Sequence, residues 1–217
     1  MDRESILRKT VDFVKETLTR AEGGHDWWHT YRVWRMSQHI AKTVNADIFI
    51  VELGALLHDI ADVKFHDGDE NAGPHKAREF LDAIGAEENV ISLIEMIIRH
   101  VSFKGAGHIQ SFSSPELEII QDADRLDAMG AIGIARTFNF GGYKNREIYN
   151  PAIPPELDQS EKAYRTSRAP TINHFYEKLL LLKDRMHTTT GKKLAESRHS
   201  FMEAFLDQFF KEWNGFA

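Results

Sequence analysis

The chain has 217 residues, 33 acidic and 27 basic, for a formal net charge of -6. That length suits one sizeable domain, and 42% hydrophobic with 28% charged residues excludes a disordered chain. The acidic balance speaks against duplex nucleic acid as a partner, because phosphate binding needs a clustered basic surface.

There are no cysteines, which excludes disulfides, thiolate metal sites and a Cys nucleophile. No apolar run reaches the roughly 18–20 residues of a membrane span. The opening MDRESILRKTVDFVKETL mixes charges and lacks a signal-peptide core. A cytoplasmic protein without membrane contact is expected.

The periodicity predicts helices almost throughout. The first carries Ile6, Val11, Val14 and Leu18 on one stripe, with Gly23-Gly24 to stop it. The second is expected from near Asp26 to Lys42, with Val33, Met36 and Ile40 on one face. The third, about Asp47 to Ala61, is apolar on nearly all sides and should be central and buried. A polar segment, Lys64 to Gly73, precedes a fourth helix over Pro74 to Ile84, with the proline in its first turn. The fifth runs from about Glu87 to Val101. Ser113-Ser114-Pro115 reads as the start of a sixth, extending to about Arg136. Asn139 to Gln159, with two glycines and three prolines, reads as a long loop or lid. Two long helices, about Glu161 to Met186 and Thr189 to Trp213, close the chain. No strand signal is present, so the fold class is all-α.

Three of these helices carry a polar residue where the pattern points inward. His29 shares a face with Val33, Met36 and Ile40. His58-Asp59 ends the apolar run LGALLHDIAD, where an ionised carboxylate is costly unless paired or metal-bound. Two readings stand for that pair by itself: a metal site, or a core histidine bonded to its neighbour. Asp124 lies in IIQDADRLDAMGAIGIAR, on a face continued by Ala128, Ala131 and Ala135, small residues that admit a close helix.

The ordered set His29, His58-Asp59, Asp124 resembles the H…HD…D signature of the HD-domain superfamily of metal-dependent phosphohydrolases. The flanks HTYRVW, GALLHDIAD and DADRLDAMGAIGIAR strengthen the match. The resemblance covers roughly residues 20–140. FYEKLLLLKDRMHT and RHSFMEAFL resemble the small stand-alone bacterial members. It implies a single HD-type helical domain over 1–217, with its bundle at about 20–140 and a C-terminal helical extension at about 160–214.

The resemblance also implies a site. His29, His58, Asp59 and Asp124 would hold one divalent ion, and two imidazoles with two carboxylates suit Mn, Mg, Fe, Co, Ni or Zn. Asp59 and Lys64 are the expected catalytic pair. Lys64, His100 and Arg125 are the expected phosphate contacts. A solvated loop lysine, a satisfied core histidine, and an ion pair from Arg125 to Asp122 or Asp127 are the respective alternatives. Asp62 and Asp127 are candidate acceptors for the ligand imidazoles, or else pair locally. Arg32 and His25 are candidates for the rim of the site, and Tyr143, Lys144, Arg146, Arg165 and Arg168 for a basic lid. Trp27, Trp28 and Trp34 would stack on a base or simply pack.

The implied reaction is hydrolysis of a phosphomonoester or phosphodiester, with a nucleotide as the expected substrate. Asp59 would bridge to a second ion if His75 and His100 supplied ligands. That ligand order also occurs in HD-fold di-iron oxygenases, which form one rival. A non-catalytic nucleotide sensor with a structural metal is the other.

Overall fold

The computed structural model describes residues 2–19, 26–61, 69, 71–101, 111–157 and 167–216. Among these, every regular element is helical. They gather into two compact units, Met1–Ala123 and Asp124–Ala217.

In the first unit, α1 spans Arg3–Thr17, capped by Asp2, whose carboxylate accepts the Ser5 N–H at 2.8 Å. Its buried stripe is Ile6, Thr10, Val14, so Thr10 takes the place expected for Val11. The Thr10 hydroxyl is fully buried because it donates to the Ile6 carbonyl at 2.8 Å. Helix α2 spans Trp27–Ala41 and α3 spans Ile48–Leu57, each opened by the aspartate that the pattern marks, Asp26 and Asp47. Eight of the ten α3 residues are buried, and each fully buried leucine contributes about 1.5–3 kcal/mol. Helices α1, α2 and α5 pack on this rod.

Helix α4 spans Ala72–Ala83 with Pro74 in its first turn, and α5 spans Glu88–Val101. The two pack together, and Arg78 ties them by donating to Glu95 and Glu88 at 2.9 Å each. Gly54 lets α3 lie close: a Cβ there would stand 2.6 Å from Ile120 Cδ1.

Helix α6 spans Pro115–Asp127, where one helix to Arg136 is expected. The chain breaks at Gly130, whose φ of +68° is open to glycine and strained for other residues. A separate helix, α7, then spans Gly130–Tyr143. Ala131 and Ala135 therefore do not continue the Asp124 face, and both are exposed.

In the second unit, Asn145 at φ 52° closes α7, and the Arg146 N–H reaches back to the Gly141 carbonyl at 2.9 Å. The segment expected to be a loop from Asn139 is thus helical to Tyr143. Beyond it, the N–H groups of Thr171 and Ile172 donate to the carbonyls of Glu147 and Ile148 at 2.9 and 3.0 Å. Asn173 Nδ2 donates to the Ile153 carbonyl at 2.9 Å. These bonds anchor the segment. Of the helix expected over Glu161 to Met186, residues 161–166 lie outside the described residues; from Ser167 onward the chain forms a short α8, Asn173–Glu177, and a 3-10 helix, Leu179–Arg185. Helix α9 spans Thr189–Trp213, matching its pattern, and packs on α7 and the 3-10 helix.

Candidate metal centre

His29 sits in the first turn of α2. The Asp26 carboxylate accepts its backbone N–H at 2.9 Å, so the cap that starts the helix also fixes where the imidazole starts. Trp34 Nε1, one turn and a half further on, donates to Glu52 of α3 at 3.1 Å. Gln38 Nε2 donates to the same carboxylate. These bonds set the register of α2 on α3, and His29 is left 1% exposed.

Helix α3 ends at Leu57, short of the expected Ala61, and His58 is its C-cap. Residues 58–61 form a tight turn in which the Ile60 N–H bonds the Leu57 carbonyl. Adjacent side chains on an ideal helix diverge by about 100°. His58 keeps helical dihedrals, φ -57° and ψ -29°, and the side chains of both His58 and Asp59 nonetheless reach His29.

His58 Nδ1 donates to the Ala55 carbonyl at 2.8 Å. A carbonyl only accepts, so the proton is on Nδ1, and in the neutral ring Nε2 keeps its lone pair. That Nε2 lies 3.3 Å from His29 Nε2. Two nitrogens each about 2.1 Å from a shared ion stand about 3.0 Å apart at a right angle and about 3.4 Å apart at the tetrahedral angle. Asp59 Oδ2 is 3.8 Å from His29 Nε2. The three side chains offer ligand atoms all within 4.8 Å of one another. Two buried imidazole nitrogens and a half-buried carboxylate oxygen, mutually close, fit a divalent ion.

The other expected site residues fall in several places. Asp124 stands half-buried on α6, three residues before its end. Lys64, Asp62, His25 and Arg165 lie outside the described residues. His100 is half-buried near the end of α5. Its ring meets the Met96 carbonyl at 2.8 Å and the Ser111 hydroxyl at 3.2 Å, and it packs on Phe112. Arg125 donates through Nη1 to the Arg185 carbonyl at 2.5 Å. Asp127 pairs with Arg136 at 2.7 Å, the local alternative. His75 is exposed. Arg32 is half-buried on α2, where Trp28 is 61% exposed and stacks edge-on with Tyr31. Lys144 lies over the Tyr143 ring, and Arg146 donates to the Ser167 carbonyl at 2.6 Å.

Arg198, which donates to the Leu126 carbonyl in α6, is not marked by any local pattern of the chain. Asp122, expected only as an alternative partner of Arg125, is fully buried.

An apolar central helix ending in a His-Asp pair, with a second histidine brought against it, defines an HD-type metal centre. The chain belongs to the HD superfamily: the HD domain family matches residues 27–129. An HD-superfamily hydrolase from Bacillus thuringiensis has a crystal structure that is 42% identical and superposes with a TM-score of 0.77, covering 98% of this chain and 99% of that one. A Lactobacillus plantarum protein of known structure is 35% identical with a TM-score of 0.88, covering 99% of this chain and 100% of its own. Bacillus subtilis YpgQ is 38% identical over 204 residues, which is 94% of this chain and 91% of YpgQ. One crystal structure of YpgQ is a complex with ADP. Among the described residues, no helix is long and apolar enough to cross a membrane.

Proposed function

We propose that this protein is a metal-dependent phosphoric ester hydrolase acting on a nucleotide or a related small phosphorylated metabolite. The observation that carries this reading is the buried cluster of His29, His58 and Asp59, with the His58 proton drawn to the Ala55 carbonyl and its Nε2 turned to His29. Asp124 is proposed as the fourth ligand, on its place in the family order. The whole chain is proposed to act as one HD-type domain. The ADP complex of YpgQ supports a nucleotide as the substrate class.

A divalent ion bound by these residues supplies Lewis acidity toward a phosphoryl oxygen and acidifies a coordinated water. The chain's own groups do the rest. His58 is held in one tautomer by Ala55, and burial of His29 and His58 keeps bulk water from competing for their nitrogens. Asp59 supplies negative charge beside the imidazoles and is the proposed acceptor for the proton of the attacking water. Lys64 is proposed to neutralise phosphate charge as it grows in the transition state. His100 and Arg125 are proposed as further phosphate contacts. Each would have to exchange a present partner, Ser111 or the Arg185 carbonyl, for substrate.

The test is a phosphatase and phosphodiesterase screen on metal-stripped protein, reloaded separately with Mn, Mg, Co, Ni, Zn or Fe. Turnover of a nucleotide that depends on the added metal is expected. Absence of turnover with every metal would point to the sensor, and two bound irons with oxygen consumption to the oxygenase.

A further inference from the structure

An α-helix leaves its last four carbonyls without partners inside the helix. In α6 these belong to residues 124–127. The N–H groups of Ala128 and Met129 turn back to the carbonyls of Arg125 and Leu126, at 3.1 and 3.0 Å. The Leu126 carbonyl takes a second donor, Arg198 Nη1, from the middle of α9. A cation at a helix C-terminus is attracted by the helix dipole. Burial pushes the Arg198 guanidinium down from its usual range, and the nearby Asp127 carboxylate acts in the opposite direction.

The neighbourhood is built around this contact. The Arg198 stem runs along Gly130, where a Cβ would stand 3.0 Å from Arg198 Cγ. Glycine at that turn therefore serves the positive φ and also leaves room for the arginine. Asp127, 4% exposed, is held on another side by Arg136 of α7 at 2.7 Å. Arg125 reaches the Arg185 carbonyl. The last turn of α6 is thus gripped at three consecutive residues, 125, 126 and 127, by groups beyond the residues that the HD family matches. Asp124 is the next residue back.

We infer that Arg198 is a positioning residue for Asp124. By holding the last turn of α6 from α9, it sets the rotation at which that helix presents the Asp124 carboxylate. The C-terminal extension then has a task in metal binding without supplying a ligand. This rests on the reading of Asp124 as a metal ligand.

The experiment is a double-mutant cycle on the full chain, metal-stripped, with Mn2+ affinity measured by titration calorimetry and unfolding of the metal-free protein followed in parallel. Arg198→Met keeps most of the stem and removes the donors. It should weaken Mn2+ binding about ten- to hundredfold, as loss of a group supporting a ligand does. Arg198→Lys retains the cation and should lose less. In an Asp124→Asn background, either Arg198 change should weaken Mn2+ binding no further. Equal weakening with Asp or Asn at 124 would overturn the inference, because the effect would then be general loosening. So would wild-type Mn2+ affinity in Arg198→Met. If Asp124→Asn alone binds Mn2+ like wild type, the ligand assignment fails and the inference falls with it. Wild-type affinity in Arg198→Met beside a deficient Asp124→Asn sinks the inference alone. Should Arg198→Met fail to fold, the cycle is read with Arg198→Lys by the same criteria.

Discussion

The Nε2 atoms of His29 and His58 stand 3.3 Å apart at the inner ends of two different helices. With the His58 proton on Nδ1, both rings direct nitrogen toward the same point, and Asp59 adds a carboxylate beside them. An arrangement that turns unprotonated nitrogen on a neighbouring imidazole is unfavourable unless a proton or a metal ion lies between.

Asp59→Ala should therefore remove tight divalent metal binding and phosphatase turnover together. Metal that binds only the native state raises stability by about 2.7 kcal/mol at a hundredfold excess over its Kd. Thermal unfolding with and without Mn2+ checks this. Wild type should gain stability from the ion and Asp59→Ala should not. A variant that keeps both the stabilisation and the activity would remove Asp59 from the centre.

Lys64→Ala is expected to lower kcat/KM about ten- to hundredfold, the range for a charge-assisted hydrogen bond to phosphate. Metal content should not change. Steady-state kinetics on a nucleotide that wild type hydrolyses, with metal analysis of the same sample, makes the measurement. Unaltered kcat/KM would return Lys64 to the solvated-loop alternative.

Gly133→Ala should destabilise the protein by about 3 kcal/mol, at the upper end for overpacking. A Cβ there would lie 2.2 Å from the Ala128 carbonyl oxygen, and backbone at a tight helix junction cannot yield. Gly142→Ala in the same helix meets nothing within 4 Å. It should gain up to about 1 kcal/mol from helix propensity. Urea unfolding of the two variants gives the contrast. Similar effects from both would mean that α6 and α7 join with more slack than this.

Burial raises the Glu177 carboxyl above its ordinary value of 4.5, against the hydrogen bond it accepts from the Glu156 N–H. Between 4.5 and that raised value the native protein holds a proton that the unfolded chain has released. Stability therefore falls as pH rises through this window, and the cost is fully present above it. Glu177→Gln should raise Tm at pH 7, modestly because the carboxylate still meets water, and should give no gain at about pH 4. A gain of equal size at both pH values would assign the effect to packing.

Much of the helical architecture was legible from local signals. The caps Asp26 and Asp47, the all-round apolar run of α3, and the long period of α9 act within a few residues of chain, so pattern alone reports them. The order of His29, His58-Asp59 and Asp124 was likewise enough to identify the superfamily. Where neighbouring segments are both helix-forming, local pattern fails. The stretch from Pro115 to Arg136 reads as one helix because the break is confined to residues 128–130, where Met129 turns extended and Gly130 takes a positive φ, and the Glu161 to Met186 pattern does not reveal the 3-10 helix within it. The convergence of His29 on His58 lies beyond local pattern too. It depends on Trp34 and Gln38 meeting Glu52 across a helix pair. Arg198 on Leu126 joins residues 72 apart in the chain. Periodicity determines which face of a helix is buried; only packing determines what that face meets.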